Sequence, residues 1–505
     1  MMPRSAVRSQ GHNAHLDWNE VSAGAVRHGL VVELPQRFAS SLVCAAWFGW
    51  GSSCQRLANA PEMVAHVADQ DPLDHIPRPP LAAQEFTSPV ELLVTEPADE
   101  ARGGGALVPQ LSDHVHARTG FADEFGHISD NAARVADLPI SLCAVLIAEA
   151  CNIELETLAR RDIPAHTRGR LLWVQQNYVR AETITRANAR LVASHARIWL
   201  ARMWGGGKVA TADGLRLVVP VRTINAAPNP KYFGRAHGAT FFNFANDQFA
   251  GQGGVVVPGT PKDAPYLLAG LLEQWSGPPP TEIITDCGSY SDQLFGALWL
   301  LGYRFSPRLA DLGDARLWRL DRTTDYGVLN GLARNRIDRE LIARNWDDLR
   351  RLAGSLKIST VGALELLSSR QGGGRVSTLG RALNKSWAAD PRQCICFSYF
   401  DDEEQRRYIG RHLTRHESRH KLARHIFHGR KEQLRQAYRE GMEDQLGALG
   451  LVVNVLVLWT TLYMDRALAH LRSRGAVVDD DDVARLSPLG TNHIYVLGRY
   501  HFFAS

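Results

Sequence analysis

Three acidic residues stand out in the 505-residue chain by where the surrounding pattern puts them. Asp213 sits in VATADGLRLVVPV at the end of an apolar, β-branched run, Asp286 closes the run TEIITD, and Glu443 lies in AYREGMEDQLGALGLVVNV within a long helical pattern. Carboxylates brought from two strands and a helix to one point suit a hard divalent cation, because magnesium takes oxygen ligands and keeps part of its water shell. Two such ions roughly 3.5–4 Å apart activate an attacking oxygen and stabilise a leaving one, as phosphodiester cleavage near neutral pH requires. Strand carboxyl ends are also where ligand sites gather in open α/β sheets. Each acid has a plainer reading too. Asp213 before Gly214 is a common turn residue, Asp286 could cap the helix that follows, and Glu443 next to Asp444 could be ordinary helix surface. The helix adds one detail: Glu440, Glu443, Gly447, Gly450 and Asn454 recur at three or four residues and so share a face, which leaves Glu440 as an alternative to Glu443.

The elements that would carry these acids follow from periodicity. From about 107 to 203 apolar residues recur at helical spacing, in LPISLCAVLIAEACNIELETLAR and ETITRANARLVASHARIWLARMW. The glycines 205–207 end that regime. VATADGLRLVVPVRTI then reads as a hairpin turning at Asp213-Gly214; TFFNFAND and GGVVVPGT read as strands, DAPYLLAGLLEQW as a helix, TEIITDCG as a buried strand, SDQLFGALWLLGY as a helix and RFSPRL as a short strand. Strand, strand, strand, helix, strand, helix, strand is the order of a ribonuclease-H-like α/β core. Charged, mainly helical sequence fills 311–430, and a long helix is expected from about 431 to 473, followed by an acidic turn at Asp479–Asp482.

A hydrophobic share of 45% and a charged share of 22% are ordinary for a soluble globular protein, and a formal charge of +4 is too small to name a partner. Its distribution is more informative. Between Arg406 and Arg439 eleven Lys and Arg residues face two acids, Glu417 and Glu432, an excess that suits DNA phosphates. Arg411, Arg415, Arg419, Lys421 and Arg424 are the phosphate candidates there, with Arg308 near the acids; a solvated helix face is the alternative. His412, His416 and His420 share four-residue spacing, but no carboxylate or cysteine completes a metal site in sequence, so contact with DNA or an ordinary surface place is expected of them. The seven cysteines lack zinc spacing and read as reduced thiols of a cytosolic protein. No glycine triplet is followed by Gly-Lys-Ser/Thr, so no nucleotide hydrolysis is expected. Leu446 to Met464 carries no charge over 19 residues, which is spanning length, yet Asn454, Thr460, Thr461 and the charged helical flanks favour a buried core helix over a membrane span.

The same residues lie in long blocks that resemble the catalytic region of Tn3-family transposases. TGFADEFGHISD, LPISLCAVLIAEACN, DIPAHTRGRLLWVQQNYVRAETITRANARLV, WGGGKVATADGLRLVVPVRTINAAPNPKYFG, TEIITDCGSYSD, RHKLARHIFHG and YREGMEDQLGALGLVVNVLVLW are among them, and the likeness runs over roughly residues 107 to 503. The resemblance implies a DDE enzyme, ribonuclease-H-like or retroviral-integrase-like, in which Asp213, Asp286 and Glu443 are the catalytic, metal-holding trio. It implies Mg2+, with Mn2+ as a substitute, and double-stranded DNA, transposon ends and target, as partner. Hydrolysis at the ends, 3′-hydroxyl strand transfer, a homo-oligomer on DNA and a bacterial cytoplasmic, nucleoid-associated location are implied as well. On this reading 1–80 is unassigned, 81–203 a helical region, 204–310 the first part of the core, 311–430 a mainly helical insertion and 431–505 the catalytic helix with the rest of the core. Residues 1 to about 80 do not resemble the family's N-terminal, end-recognising half, and 385–401 also diverges, so a truncated remnant that binds DNA or full-length transposase without cutting is the alternative expectation.

Overall fold

Val209–Val219 forms one unbroken strand, β1, and the rest of the sheet is arranged around it. The computed structural model describes residues 105–106, 115–129, 136–259, 264–273, 276–289, 291–309, 318–319, 325, 335–358, 377–386, 399, 402–494, 496 and 499–500. Four further strands are β2 (His237–Asn246), β3 (Gly251–Pro258), β4 (Glu282–Thr285) and β5 (Arg304–Pro307). β1, β2 and β3 are antiparallel neighbours, β4 runs parallel to β1 on its other side, and β5 runs parallel to β4, giving the order β3-β2-β1-β4-β5. A two-residue strand, Ala227–Pro228, also pairs with β2.

The hairpin expected at Asp213-Gly214 is not formed. Both residues pair within β1, Asp213 opposite Asn243 and Gly214 opposite Phe242. Gly214 is there for packing: a Cβ on it would stand 2.5 Å from the Thr240 methyl carbon. The glycine that reads as a turn former instead lets two strands close on a cross-strand threonine.

Nine helices of nine residues or more lie among the described residues: α1 (Leu138–Cys151), α2 (Arg168–Tyr178), α3 (Ala181–His195), α4 (Ala264–Glu273), α5 (Asp292–Leu300), α6 (Trp346–Lys357), α7 (Thr378–Ser386), α8 (Glu403–Ile426) and α9 (Arg439–Ser473). Alternation along the strands splits the core in two. Leu215, Leu217, Val219, Phe241 and Val256 face a large cluster built from α1, α3, α8 and α9, whereas Ala212, Phe242, Phe244, Val255 and Val257 face α4 and α5. Helix α8 packs on β1 and β4 as well as on α9, so the last helix of the expected 311–430 insertion is part of the sheet's own covering layer.

Helix α9 begins at Arg439 rather than near 431, because Gly429–Glu432 is a tight turn with positive φ at Arg430 and Lys431. Asn152, ending α1, donates to the carbonyls of Gly429 and Gln433, and Gln445 donates to Asn152 Oδ1. That set pins the α8–α9 connection and the first turns of α9. From Leu446 to Met464 α9 is buried almost throughout, packed against α1, α3 and β3, as an apolar helix in a protein core should be. It is long and apolar enough to cross a membrane by length and composition, but its apolar stretch is taken up by the core. Asp480–Val483 is a short helix capped by Asp479, not a plain turn. Cys143 and Cys151 are buried and Cys287 is exposed; the other four cysteines lie outside the described residues, as do residues 1–80.

Candidate metal centre

The parallel pairing of β1 with β4 ends at Ala212 opposite Thr285, so the next residues along the two strands, Asp213 and Asp286, stand at the same level on neighbouring strands. Beyond this point β1 runs on without β4, and Leu434 bonds to its far half through Val218. Asp213 is therefore the first residue of β1 past the end of β4, at a fork in the sheet. Asp286 Oδ1 accepts from the Gly288 N–H at 3.0 Å, which fixes the carboxylate at the start of the turn leading to α5.

Asp213 Oδ1 accepts from the Gly214 N–H at 2.7 Å. Burial raises the Asp213 carboxyl to about 7; the Gly214 bond opposes that, while the charges of Glu417 and Asp286 and a hydrogen bond with Glu417 add to it. A half-buried carboxylate with two others nearby is the electrostatic setting that a divalent cation relieves.

The layer above this fork is α8. His416 and His420 are both buried and pack edge to face, with ring centroids 4.6 Å apart. His416 Nδ1 lies 2.7 Å from Thr211 Oγ1 and its Nε2 lies 3.0 Å from Asn243 Oδ1. Asn243 Nδ2 reaches the carbonyls of Phe241 and Asp213 and, at 2.8 Å, His420 Nε2. His420 Nδ1 then faces Asp213 Oδ2 at 3.7 Å. Burial, with the nearby Arg419 charge, lowers His416 to about 3; burial, then His416, Arg424 and Arg419, holds His420 well below the usual imidazole range. Both rings are neutral parts of the core. The expectation of a surface or DNA-contacting place for the three histidines is overturned: His412 is buried too, against Tyr408. A carboxylate does stand beside them in the helix sequence, Glu417, and β1 adds another: Asp213, Glu417 and His420 offer ligand atoms within 4.8 Å of one another.

Glu443 is held differently. Its Oε1 accepts from Arg439 Nε at 2.8 Å, one turn earlier on α9. It lines a cleft together with Asn243, His420, Gly447 and Gly450, the first two of which touch Asp213. Glu440 is exposed and does not line that cleft. From Glu443 onward the small-and-acidic stripe of α9 thus faces the cleft, and Asn454 continues it by bonding both the N–H and the carbonyl of Gly251. Asp213 and Asp286 stand at one level on neighbouring strands; Glu443 lines a cleft that shares Asn243 and His420 with the surroundings of Asp213 but that neither aspartate lines, and it stands outside the Asp213–Glu417–His420 group.

Of the basic candidates, Arg411, Lys421, Arg424 and Arg308 are exposed. Arg419 is not available to phosphates. It is buried, donates to the carbonyls of Phe249 and Gly450, and is lowered to about 9 by burial. A Cβ on Gly251 would collide with its guanidinium, so Gly251 makes its room. Arg415 likewise turns inward, donating to the Asp247 carbonyl and lying over the Phe249 ring. Sequence reasoning missed Glu417 and the inward role of His420; the available signal was Glu-x-x-His on a helix, three residues apart and hence on one face.

A family model described as the Tn3 transposase DDE domain matches residues 111–500. The transposase for transposon gamma-delta of Escherichia coli (strain K12) is 52% identical over 393 residues, covering 78% of this chain and 39% of that protein. The transposase for transposon Tn4556 of Streptomyces fradiae is 42% identical over 445 residues, 88% of this chain and 49% of that protein. The transposase for transposon Tn1546 of Enterococcus faecium is 32% identical over 396 residues, 78% of this chain and 40% of that protein. The chain spans less than half the length of these relatives.

Proposed function

The chain belongs to the Tn3 transposase DDE domain family, and from that premise we propose that it carries the DNA-cleaving and strand-transferring core of a replicative transposase. The observation that carries this reading is the placement of Asp213 and Asp286 at one level on adjacent parallel strands, in a sheet of order β3-β2-β1-β4-β5. That order, three antiparallel strands followed by two parallel ones, supports a ribonuclease-H-like core, with 311–430 as its insertion.

The residues present fit a divalent cation. Asp213, half-buried and raised by its burial and its acidic neighbours, is more easily ionised when a cation sits among those carboxylates, which offer the hard oxygens that such a cation takes. Magnesium, with manganese as a substitute, would supply activation of the attacking oxygen and stabilisation of the leaving one. Asp213, Asp286 and Glu443 would hold it. Glu443 is preferred to Glu440 because only Glu443 lines the cleft beside His420 and Asn243. Arg439 orients the Glu443 carboxylate before DNA arrives. The buried face of α8 excludes water from behind Asp213, while its exposed Arg411, Lys421 and Arg424, with Arg308 beside β5, meet the phosphates of transposon-end and target DNA. A homo-oligomer on DNA, in the bacterial cytoplasm at the nucleoid, completes the reading.

The test is metal-dependent nicking and strand transfer on duplex DNA carrying a transposon end, with Asp213→Asn and Asp286→Asn as probes. Each substitution should lower cleavage by about 10³-fold or more, since ~4 kcal/mol of transition-state stabilisation is lost with a metal-holding charge, and leave DNA affinity nearly unchanged. Near-normal turnover in either variant refutes the site. DNA binding by the parent chain with no metal-dependent product would favour the non-cutting alternative.

A further inference from the structure

The two side chains gathered with Asp213, those of Glu417 and His420, have no part in the trio of Asp213, Asp286 and Glu443. Glu417 and His420 are three residues apart on α8, so they share the face turned toward β1. Glu417 lies beside Asp213, and the ligand atoms of Asp213, Glu417 and His420 fall within 4.8 Å of one another. The adjacent cation, Arg419, is spent on the carbonyls of Phe249 and Gly450. The exposure of Glu417 fits a cation that keeps some of its waters on the solvent side.

The second observation is independent of the acids. His420 is 2% exposed, and its Nδ1 is buried without a hydrogen-bond partner while facing Asp213 Oδ2 at 3.7 Å. Its tautomer follows from its neighbours. The Asn243 amide nitrogen sits among the carbonyl oxygens of Phe241 and Asp213, so it is the donor end, and it donates to His420 Nε2. The Asn243 oxygen, its acceptor end, is left to His416 Nε2 at 3.0 Å. With its Nε2 accepting from Asn243, the neutral His420 ring carries its single proton on Nδ1, aimed at Asp213. The Nδ1–H therefore points at the carboxylate from 3.7 Å, beyond hydrogen-bond distance, and leaves no lone pair there to ligate a cation.

We propose that Glu417 is a further cation ligand of this site, set beside Asp213, and that His420 is the positioning residue that holds the Asp213 carboxylate toward it. This rests on the reading in which Asp213 and Asp286 hold divalent cations. A ligating carboxylate is commonly oriented by an outer hydrogen-bond donor, and removing such a partner costs about 10- to 100-fold in metal affinity.

The experiment is Mn2+ binding to the full chain without DNA, read from the free-ion electron paramagnetic resonance signal, with circular dichroism to check the fold. Glu417→Gln should weaken binding by about tenfold or more. His420→Ala should weaken it as well, and His420→Asn, whose amide nitrogen takes the place of Nδ1, should restore most of the loss. Asp286→Asn is the reference. Glu417→Gln within twofold of the parent while Asp286→Asn is strongly weakened overturns this inference and leaves the cation site standing. Equal loss in folded His420→Ala and His420→Asn overturns the positioning role, and unchanged binding in Asp286→Asn overturns both readings.

Discussion

The two faces of α8 are built from the same basic composition and meet opposite fates. On the inner face His412, His416, Arg419 and His420 are buried against the sheet and α9, neutral or bonded to main-chain carbonyls. On the outer face Arg411, Lys421 and Arg424 are exposed. A count of positive charge along the sequence adds the two faces together, although only one can meet a polyanion. The difference teaches that a basic helix can be a structural layer and an electrostatic surface at once, with the division set by what packs beneath it. It also separates two kinds of failure on mutation, loss of fold and loss of DNA binding, which can be tested face by face.

The largest effect is expected on the inner face. Arg419→Ala removes the donors of the Phe249 and Gly450 carbonyls and leaves a void beside Gly251. It should cost about 2–4 kcal/mol of stability, as loss of charged hydrogen bonds in a buried place does. Arg424→Ala, on the exposed side, should stay within about 0.5 kcal/mol. Denaturant midpoints of the two variants decide the matter: similar midpoints would abolish the distinction between the faces.

A second way to sharpen the contrast is pH. Burial lowers His195 and His416 to about 3 and His412 and His493 to about 4. A histidine whose folded pKa is depressed contributes stability above its unfolded value of about 6.5, and that contribution is lost as pH falls toward the folded value. The melting temperature should therefore fall from pH 7 to pH 5, and His412→Leu should make the fall shallower. Asp213 has the opposite sign. Raised to about 7, its contribution is complete below the ordinary carboxyl value near 3.8 and is lost as pH rises through 7. Without divalent cations, Asp213→Asn should accordingly raise the melting temperature at pH 8 and give no gain at pH 4. A destabilised Asp213→Asn protein at pH 8 would mean that the carboxylate is satisfied without a cation.

Much of the frame was legible from the sequence. The apolar runs at TFFNFAND, GGVVVPGT, TEIITDCG and RFSPRL are strands, and the α4, α5 and α9 regions are helical, because each carries a one-period signal that packing does not override. The failures share a cause. Asp213-Gly214 carries the composition of a turn, but its glycine answers to Thr240 across the strand, a contact that local sequence does not encode. Histidines at four-residue spacing were visible, yet whether they face solvent depends on Thr211 and Asn243, far away in the chain. The same holds for Arg419 and the carbonyls of Phe249 and Gly450. The start of α9 was misplaced because the positive-φ turn at Arg430 and Lys431 uses residues that read as helix formers. Asp213 and Asp286 could be named as strand-borne acids, but their common level comes from the β1–β4 register, which no periodicity shows.

The smallest effect on stability, and the most direct on DNA, belongs to the outer face. Replacing Arg411, Lys421 and Arg424 together by alanine should leave the denaturant midpoint nearly in place, because exposed side chains contribute little there. Each phosphate that is no longer neutralised should make the dependence of log affinity on log salt shallower by about 0.9 on duplex DNA, so about 2.7 if all three side chains bind phosphate. Affinity at low salt should fall on every duplex alike, since phosphates carry no sequence. Arg415→Ala is the matched control: it removes the same charge from α8, but from a side chain bonded to the Asp247 carbonyl and laid on Phe249. Its salt slope should stay at the parent value. If the triple variant keeps the parent slope, or Arg415→Ala changes it by as much as one phosphate, the outer face of α8 is a solvated surface and the DNA path lies elsewhere.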